Sequence, residues 1–219
     1  MFKKFSSSYN PYFFLPFIIW VGSGGILLLT CTKQSLFTLV NSHNTYLLDV
    51  IMQPITFIGQ AEVIIPALLL LFLFKSLRNW RYFILALLCN ILPFFLQQAL
   101  KSFFNMPRPL TYLHEAGWQI HYLADWPYLL SRSFPSGHSA GAFSFFCFLT
   151  LMLPKKYKKT GLLFFMLALS VCYSRMYLAA HFFEDVYCGS LLGCISTTLI
   201  FMVLKNTGIY QKLKLTDRE

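Results

Sequence analysis

The chain reads as an all-α integral membrane protein with six transmembrane helices and an interfacial helix before the second span. Three observations predict this. Of 219 residues, 57% are hydrophobic, 24 are Phe and only 12% are charged, and the mean hydropathy is +0.58. A water-soluble domain could not cover that much apolar surface. The apolar residues gather into six runs, near 11–30, 60–74, 82–100, 135–153, 161–179 and 184–204. Most of the basic residues fall between those runs or at the termini, as membrane topology requires. The length predicts one domain, residues 1–219.

The first run, Pro11 to Thr30, is about as long as a bilayer is thick at ~1.5 Å per residue. A secretory signal has a shorter apolar region and a small-residue cleavage site. The sequence CTKQS that follows is not such a site, so the run is read as a retained membrane helix. Tyr46 to Gln60 (YLLDVIMQPITFIGQ) is too short and too interrupted to cross. Its Leu47, Val50, Ile51, Ile55 and Phe57 suit a helix lying at the interface. The second and third runs are separated by KSLRNWR, the fourth and fifth by PKKYKK. The loop from Ser102 to Phe134 carries Trp118, Trp126 and several Tyr, aromatics suited to capping a site or resting on headgroups.

The two basic linkers and the termini hold 13 of the 18 basic residues. An even number of spans puts all four segments on one side, and the positive-inside rule makes that side cytoplasmic, with both termini. The other five, Lys33, Lys101, Arg108, Arg132 and Arg175, fall on the opposite face, which is extracytoplasmic, or periplasmic in a Gram-negative host. The net charge of +10 does not indicate nucleic acid, because the basic residues form short runs rather than one patch. Six cysteines are scattered without C-x-x-C spacing and read as small buried thiols rather than a disulfide or zinc framework.

Three segments place ionisable groups on the extracytoplasmic face: KSFFNMPRP (101–109), PSGHS (135–139) and SRMYLAAHFFED (174–185). Ionisable residues at a membrane edge point to function. Lys101 ends the third span and Arg108 follows between two prolines, which stop the helix and turn Arg108 back toward Lys101. Both residue types bind phosphate, Arg as a fork and Lys as a point charge. Pro135, Ser136, Gly137 and His138 open the fourth span. Pro suits a first helical turn, free N–H groups there attract anions, and Gly137 permits close approach.

His181 and Asp185, four apart, share one face if both lie on the sixth helix. The carboxylate would hold one imidazole nitrogen and present the other as a nucleophile. Arg175, six residues earlier, would face away on an unbroken helix, so a break is expected near Leu178 to Ala180. Each segment alone is also compatible with a structural role: a snorkelling Lys–Arg pair, a plain helix start, a satisfied His–Asp pair.

Together, K-x6-R-P, P-S-G-H and S-R-x5-H-x3-D resemble the three-part signature of the type 2 phosphatidic acid phosphatase superfamily, which is shared with vanadium-dependent haloperoxidases. The stretch LDVIMQPITFIG (48–59) is also similar to the one preceding the second span in many members. The resemblance implies a lipid phosphatase that uses no metal or other cofactor. It implies His181 as nucleophile forming a phosphohistidine, Asp185 orienting it, and His138 as proton donor and then base. Lys101, Arg108, Arg175, Ser136 and Gly137 are implied as the phosphate-binding set. Partners are then the bilayer and a lipid phosphate, in a bacterial inner membrane. Undecaprenyl diphosphate is slightly favoured over lipid A phosphates, phosphatidylglycerol phosphate or phosphatidic acid. A phosphotransferase remains the alternative enzyme, and a catalytically silent lipid-binding or transport protein the alternative of another class. His114, Glu115, His121 and Arg132 are candidates for headgroup selection or for a solvated loop, and Glu184 for a headgroup or solvent contact.

Overall fold

Capping side chains set where the helices begin. The computed structural model describes residues 9–73, 77–78 and 80–206, without the side chains of 81, 114 and 115. Among these residues all regular structure is helical. Asn10 accepts from the Tyr12 N–H and Pro11 opens α1 (Pro11–Thr30). Thr32 caps α2 (Lys33–Asn41) by accepting from the Ser35 N–H. Thr45 caps α3 (Tyr46–Phe57) through the Leu48 N–H, with Asp49 in the first turn, where a carboxylate offsets the positive helix end. There follow α4 (Ala61–Leu70) with a 3₁₀ turn at Leu71–Leu73, α5 (Trp80–Phe104) and α6 (Pro109–Glu115). The chain closes with α7 (Gly137–Met152), a 3₁₀ turn at Lys155–Tyr157, α8 (Thr160–Tyr177) and α9 (Phe183–Asn206).

The expected six spans are not found. Among the described residues four helices, α1, α5, α8 and α9, are long and apolar enough to cross a membrane. Helix α3 and the α4 segment, bent by 57° at a short break, make at most a fifth. The expected interfacial helix therefore exists as α3 but is one arm of that bent pair. The run expected as the fourth span is α7, with 16 residues. At ~1.5 Å per residue it falls short of a ~30 Å hydrocarbon core. Hydropathy marks α7 as a span because it is apolar, yet its apolar side chains face protein. Phe143, Phe145, Phe146, Cys147 and Phe148 are all buried.

Helix α7 packs against α4, α5, α8 and α9. It lies close to α9 because Gly189 and Gly193 face it: a Cβ at 189 would stand 2.5 Å from the Ser136 carbonyl oxygen. Ser136 N–H donates to the Asp185 carbonyl at 2.9 Å, and further along Cys147 and Cys194 sulfurs lie 3.8 Å apart, so α7 and α9 run parallel. Helix α5 runs against them: Thr197 Oγ1 donates to the Cys89 carbonyl, and Gln97 Nε2 to that of Pro135. The starts of α7 and α9 and the ends of α5 and α8 thus share one end of the bundle. At the other end, Asn10 Nδ2 donates to the Lys158 carbonyl, beside the basic turn Lys155–Lys159. Lys3, Lys4, Lys75, Lys212, Lys214, Arg218 and the Arg81 side chain, counted in the charge bias, lie outside the described residues.

Candidate active site

All three charged segments meet at the first of those ends. Lys101 sits in the last turn of α5, and Asn105 leaves it in a left-handed conformation, φ 42°. The Arg108 and Ser133 N–H groups then donate to the carbonyls of Leu130 and Met106, pinning the two ends of the long loop together. Arg108 is only 4% exposed. Its Nε donates to Ser131 O at 3.0 Å, and its Nη1 donates to Ala180 O at 3.0 Å and stands 3.5 Å from His181 Nε2. Lys101 lies near enough to Arg108, Arg175, Arg132 and Asp185 for their charges to act on its ammonium group.

Helix α8 ends where the spacing of Arg175 and His181 requires. Ala179 turns left-handed, φ 51°, and the Ala180 and His181 N–H groups both donate to the Arg175 carbonyl. His181 consequently lies in the α8–α9 connection, not on the last helix as expected, while Asp185 is in the first turn of α9. Their contact survives: His181 Nδ1 is 3.3 Å from Asp185 Oδ2. The same oxygen accepts from Ser133 Oγ at 2.5 Å and from the Phe182 N–H at 2.9 Å, and Ser133 Oγ is 3.4 Å from His181 Nδ1. Burial, reinforced by Arg108, Arg175 and Lys101, holds the His181 imidazole well below its ordinary pKa, so the ring is neutral near pH 7. Asp185 Oδ1 is buried without a partner among the described residues.

Ser136 is the N-cap of α7, accepting on its side chain from the Ser139 N–H, and α7 begins at Gly137. Pro135 therefore precedes the cap instead of occupying the first turn. Gly137 faces the Gln97 side chain, which a Cβ would meet at 3.4 Å. His138 Nε2 is 2.9 Å from Gln60 Nε2. Arg175 is buried at the end of α8, with Nη1 on Thr56 Oγ1 at 3.0 Å and Nε without a partner among the described residues.

Four residues the sequence did not flag hold this arrangement: Ser133, Gln97, Thr56 and Gln60. Their signal was polarity inside or beside apolar runs, and Thr56 also lies within the family-like stretch 48–59. Glu184, expected to touch headgroup or solvent, instead pairs with Lys33 at 2.5 Å. His121 pairs with Asp49 Oδ1 at 2.7 Å, and Arg132 Nη2 donates to Ser102 Oγ. The His114 and Glu115 side chains lie outside the described residues. Among the described residues no group of three or more His, Cys, Asp or Glu has the placement to hold a metal ion. The cluster instead offers fixed cations and two imidazoles to an anion with several oxygens.

A family model described as the PAP2 superfamily matches residues 67–209. Over 90 residues the chain is 36% identical to the bacitracin transport permease protein BcrC of Bacillus licheniformis, covering 41% of this chain and 42% of that one. The match thus spans about two fifths of that relative's length. The crystal structure of Aquifex aeolicus LpxE is similar with a TM-score of 0.66 and 32% identity, over 77% of this chain and 94% of that one. A PAP2-type phosphatidylglycerolphosphate phosphatase from Bacillus subtilis shares the fold with a TM-score of 0.64 at 24% identity, over 89% and 96%.

Proposed function

On the premise that this chain belongs to the PAP2 superfamily, whose type is the metal-independent membrane lipid phosphatase, we propose that it hydrolyses a lipid phosphate through a phosphohistidine. It is an integral protein of the bacterial inner membrane with its site on the extracytoplasmic side. The basic Lys155–Lys159 turn lies at the opposite end of the bundle, in keeping with positive-inside orientation.

One observation carries the chemistry. A neutral, buried His181 has its Nδ1 held by Asp185 and Ser133 and its Nε2 facing Arg108, with an unpartnered Arg175 Nε buried in the same site. Buried polar atoms without partners are costly, and a phosphoryl oxygen would satisfy this one. In the proposed reaction Nε2 attacks the terminal phosphorus while its P–O bond to the leaving group breaks, the leaving group being the lipid monophosphate for a diphosphate and the lipid alcohol for a monoester. Asp185 stabilises the Nδ1–H as the ring gains charge. His138, entering as the imidazolium beside the bound phosphate, gives its proton to the departing oxygen and becomes neutral. It then takes one from the water that attacks the phosphohistidine, which releases phosphate and leaves His181 neutral and His138 protonated as at the start. Lys101, Arg108 and Arg175, with Ser136 and the Gly137 N–H, stabilise the equatorial oxygens.

Undecaprenyl diphosphate is the favoured substrate. A second phosphate calls for charge beyond the buried clamp, and Arg132 supplies it at the exposed rim, coupled to Lys101. The test is phosphate release by purified protein from undecaprenyl diphosphate, phosphatidylglycerol phosphate, phosphatidic acid and lipid A, in excess EDTA. Fastest release from undecaprenyl diphosphate is expected. Preference for another lipid overturns the substrate assignment, and strict dependence on an added divalent ion overturns the mechanism.

A further inference from the structure

We propose that the bend between α3 and α4 is a fourth working segment of the site, in which Gln60 positions His138 and Thr56 positions Arg175. This rests on the reading of His138 as the proton donor. The bend lies outside the three signature segments, yet it supplies both polar contacts. Gln60 stands at the N-cap of α4 but makes no side-chain cap bond. Its amide instead meets His138 Nε2 at 2.9 Å, across 78 residues of sequence. Among the described residues this is the one hydrogen bond on that ring. It occupies Nε2 and leaves Nδ1 for the leaving oxygen and, later, the attacking water.

Close packing fixes the bend. A Cβ on Gly59 would collide with the His138 carbonyl oxygen and come within 2.9 Å of Val171 Cγ1, and one on Gly141 would stand 2.7 Å from the Gly59 carbonyl oxygen. The bend therefore rests backbone to backbone on the first turn of α7, and its side chains have little freedom to shift relative to His138. One helical turn earlier, Thr56 is fully buried and its hydroxyl accepts from Arg175 Nη1 at 3.0 Å. That bond fixes one prong of the guanidinium, whose Nε is left without a partner among the described residues.

The two contacts predict different losses. Proton donation matters when the leaving group is an alkoxide and little when it is a stable phenolate, whereas a misplaced cation slows both. The experiment measures kcat/KM for dioctanoyl phosphatidic acid and p-nitrophenyl phosphate in Gln60→Met, Gln60→Glu, Thr56→Val and His138→Ala. His138→Ala should lose about 10²- to 10⁴-fold on the lipid ester and far less on the nitrophenyl ester. Gln60→Met should show the same selectivity at about 10-fold, and Gln60→Glu, whose carboxylate can accept from Nε2–H of the imidazolium and hold the ring in place, should recover much of it. Thr56→Val should slow both esters alike, by about 10-fold, and weaken inhibition by orthovanadate. Equal losses on both esters in the two Gln60 variants would make Gln60 a packing residue. A selective loss in His138→Ala with none in Gln60→Met would overturn the positioning role alone. Equal loss on both esters in His138→Ala would overturn the assignment of the proton donor itself.

Discussion

The two histidines of the site are held in opposite ways. His181 is 1% exposed and gripped from three elements: Asp185 at the start of α9, Ser133 from the loop before α7, and Arg108 from the loop after α5. His138 lies on the first turn of α7, half-buried, with Gln60 on one nitrogen. A nucleophile gains from a lone pair fixed in one direction, since misorientation costs rate directly. A group that first gives and then takes a proton needs one nitrogen free to meet two different oxygens. The asymmetry in restraint matches the proposed division of labour.

Breaking either side should separate them. His181→Ala should show the largest effect, phosphate release falling by more than about 10⁴-fold with no phosphoenzyme trapped on an alkaline denaturing quench, under which a phosphohistidine survives. Persistence of the label in that variant would move the nucleophile elsewhere. For His138→Ala we expect a smaller loss, about 10²- to 10⁴-fold, with phosphoenzyme still formed from p-nitrophenyl phosphate; a variant unable to form it would reverse the roles. Ser133→Ala removes a hydrogen bond to a buried carboxylate, typically ~1.5–3 kcal/mol, and should lower kcat by roughly 10- to 100-fold while leaving KM nearly unchanged.

The pH profile sharpens the contrast without a mutation. The His181 pKa lies well below the ordinary imidazole value and the neutral ring is the proposed nucleophile, so lowering the pH from 7.5 to about 6 should not protonate it. Titration of the His181 ring by NMR, in protein labelled on histidine, should show no midpoint near ~6.5; one there would contradict its environment. Smallest is Lys33→Ala. The Lys33–Glu184 pair is 24% and 29% exposed, so its loss should cost no more than about 1 kcal/mol of stability, read as a shift in Tm. A larger drop would bring α2 into the restraint of His181, through the Phe182 ring that Lys33 overlies at 4.0 Å.

Much of the site was legible because its charged residues stand in apolar surroundings at telling intervals. The expected break in α8 appears at Leu178 to Ala180, since Arg175 and His181 could not share a face otherwise. The position of His181 before α9 was not legible. An i,i+4 contact looks the same whether both residues are helical or one precedes the helix, and nothing about Ala179 announces a left-handed backbone. Thr56, Gln60 and Ser133 were missed for another reason. Their partners lie 119, 78 and 52 residues away, and a lone hydroxyl or amide in an apolar run more often bonds its own helix. The span count failed because hydropathy reports composition, whereas α7 is apolar to suit a protein interior rather than lipid.

Asn41 joins three parts of the molecule. Its Nδ2 donates to the carbonyls of His121 and Tyr177 and its Oδ1 accepts from the His121 N–H, so one buried amide ties α2 and the long loop to the end of α8. Without that amide, the His121–Asp49 pair is left to hold this part of the loop from the α3 side. Asn41→Leu would therefore make the loop around His121 a cleavage site for a protease added outside the cell, with the membrane helices still intact. The vulnerable point of this protein is then a seam between its outer loop and its helices, and a digestion pattern would show that seam parting before the bundle does.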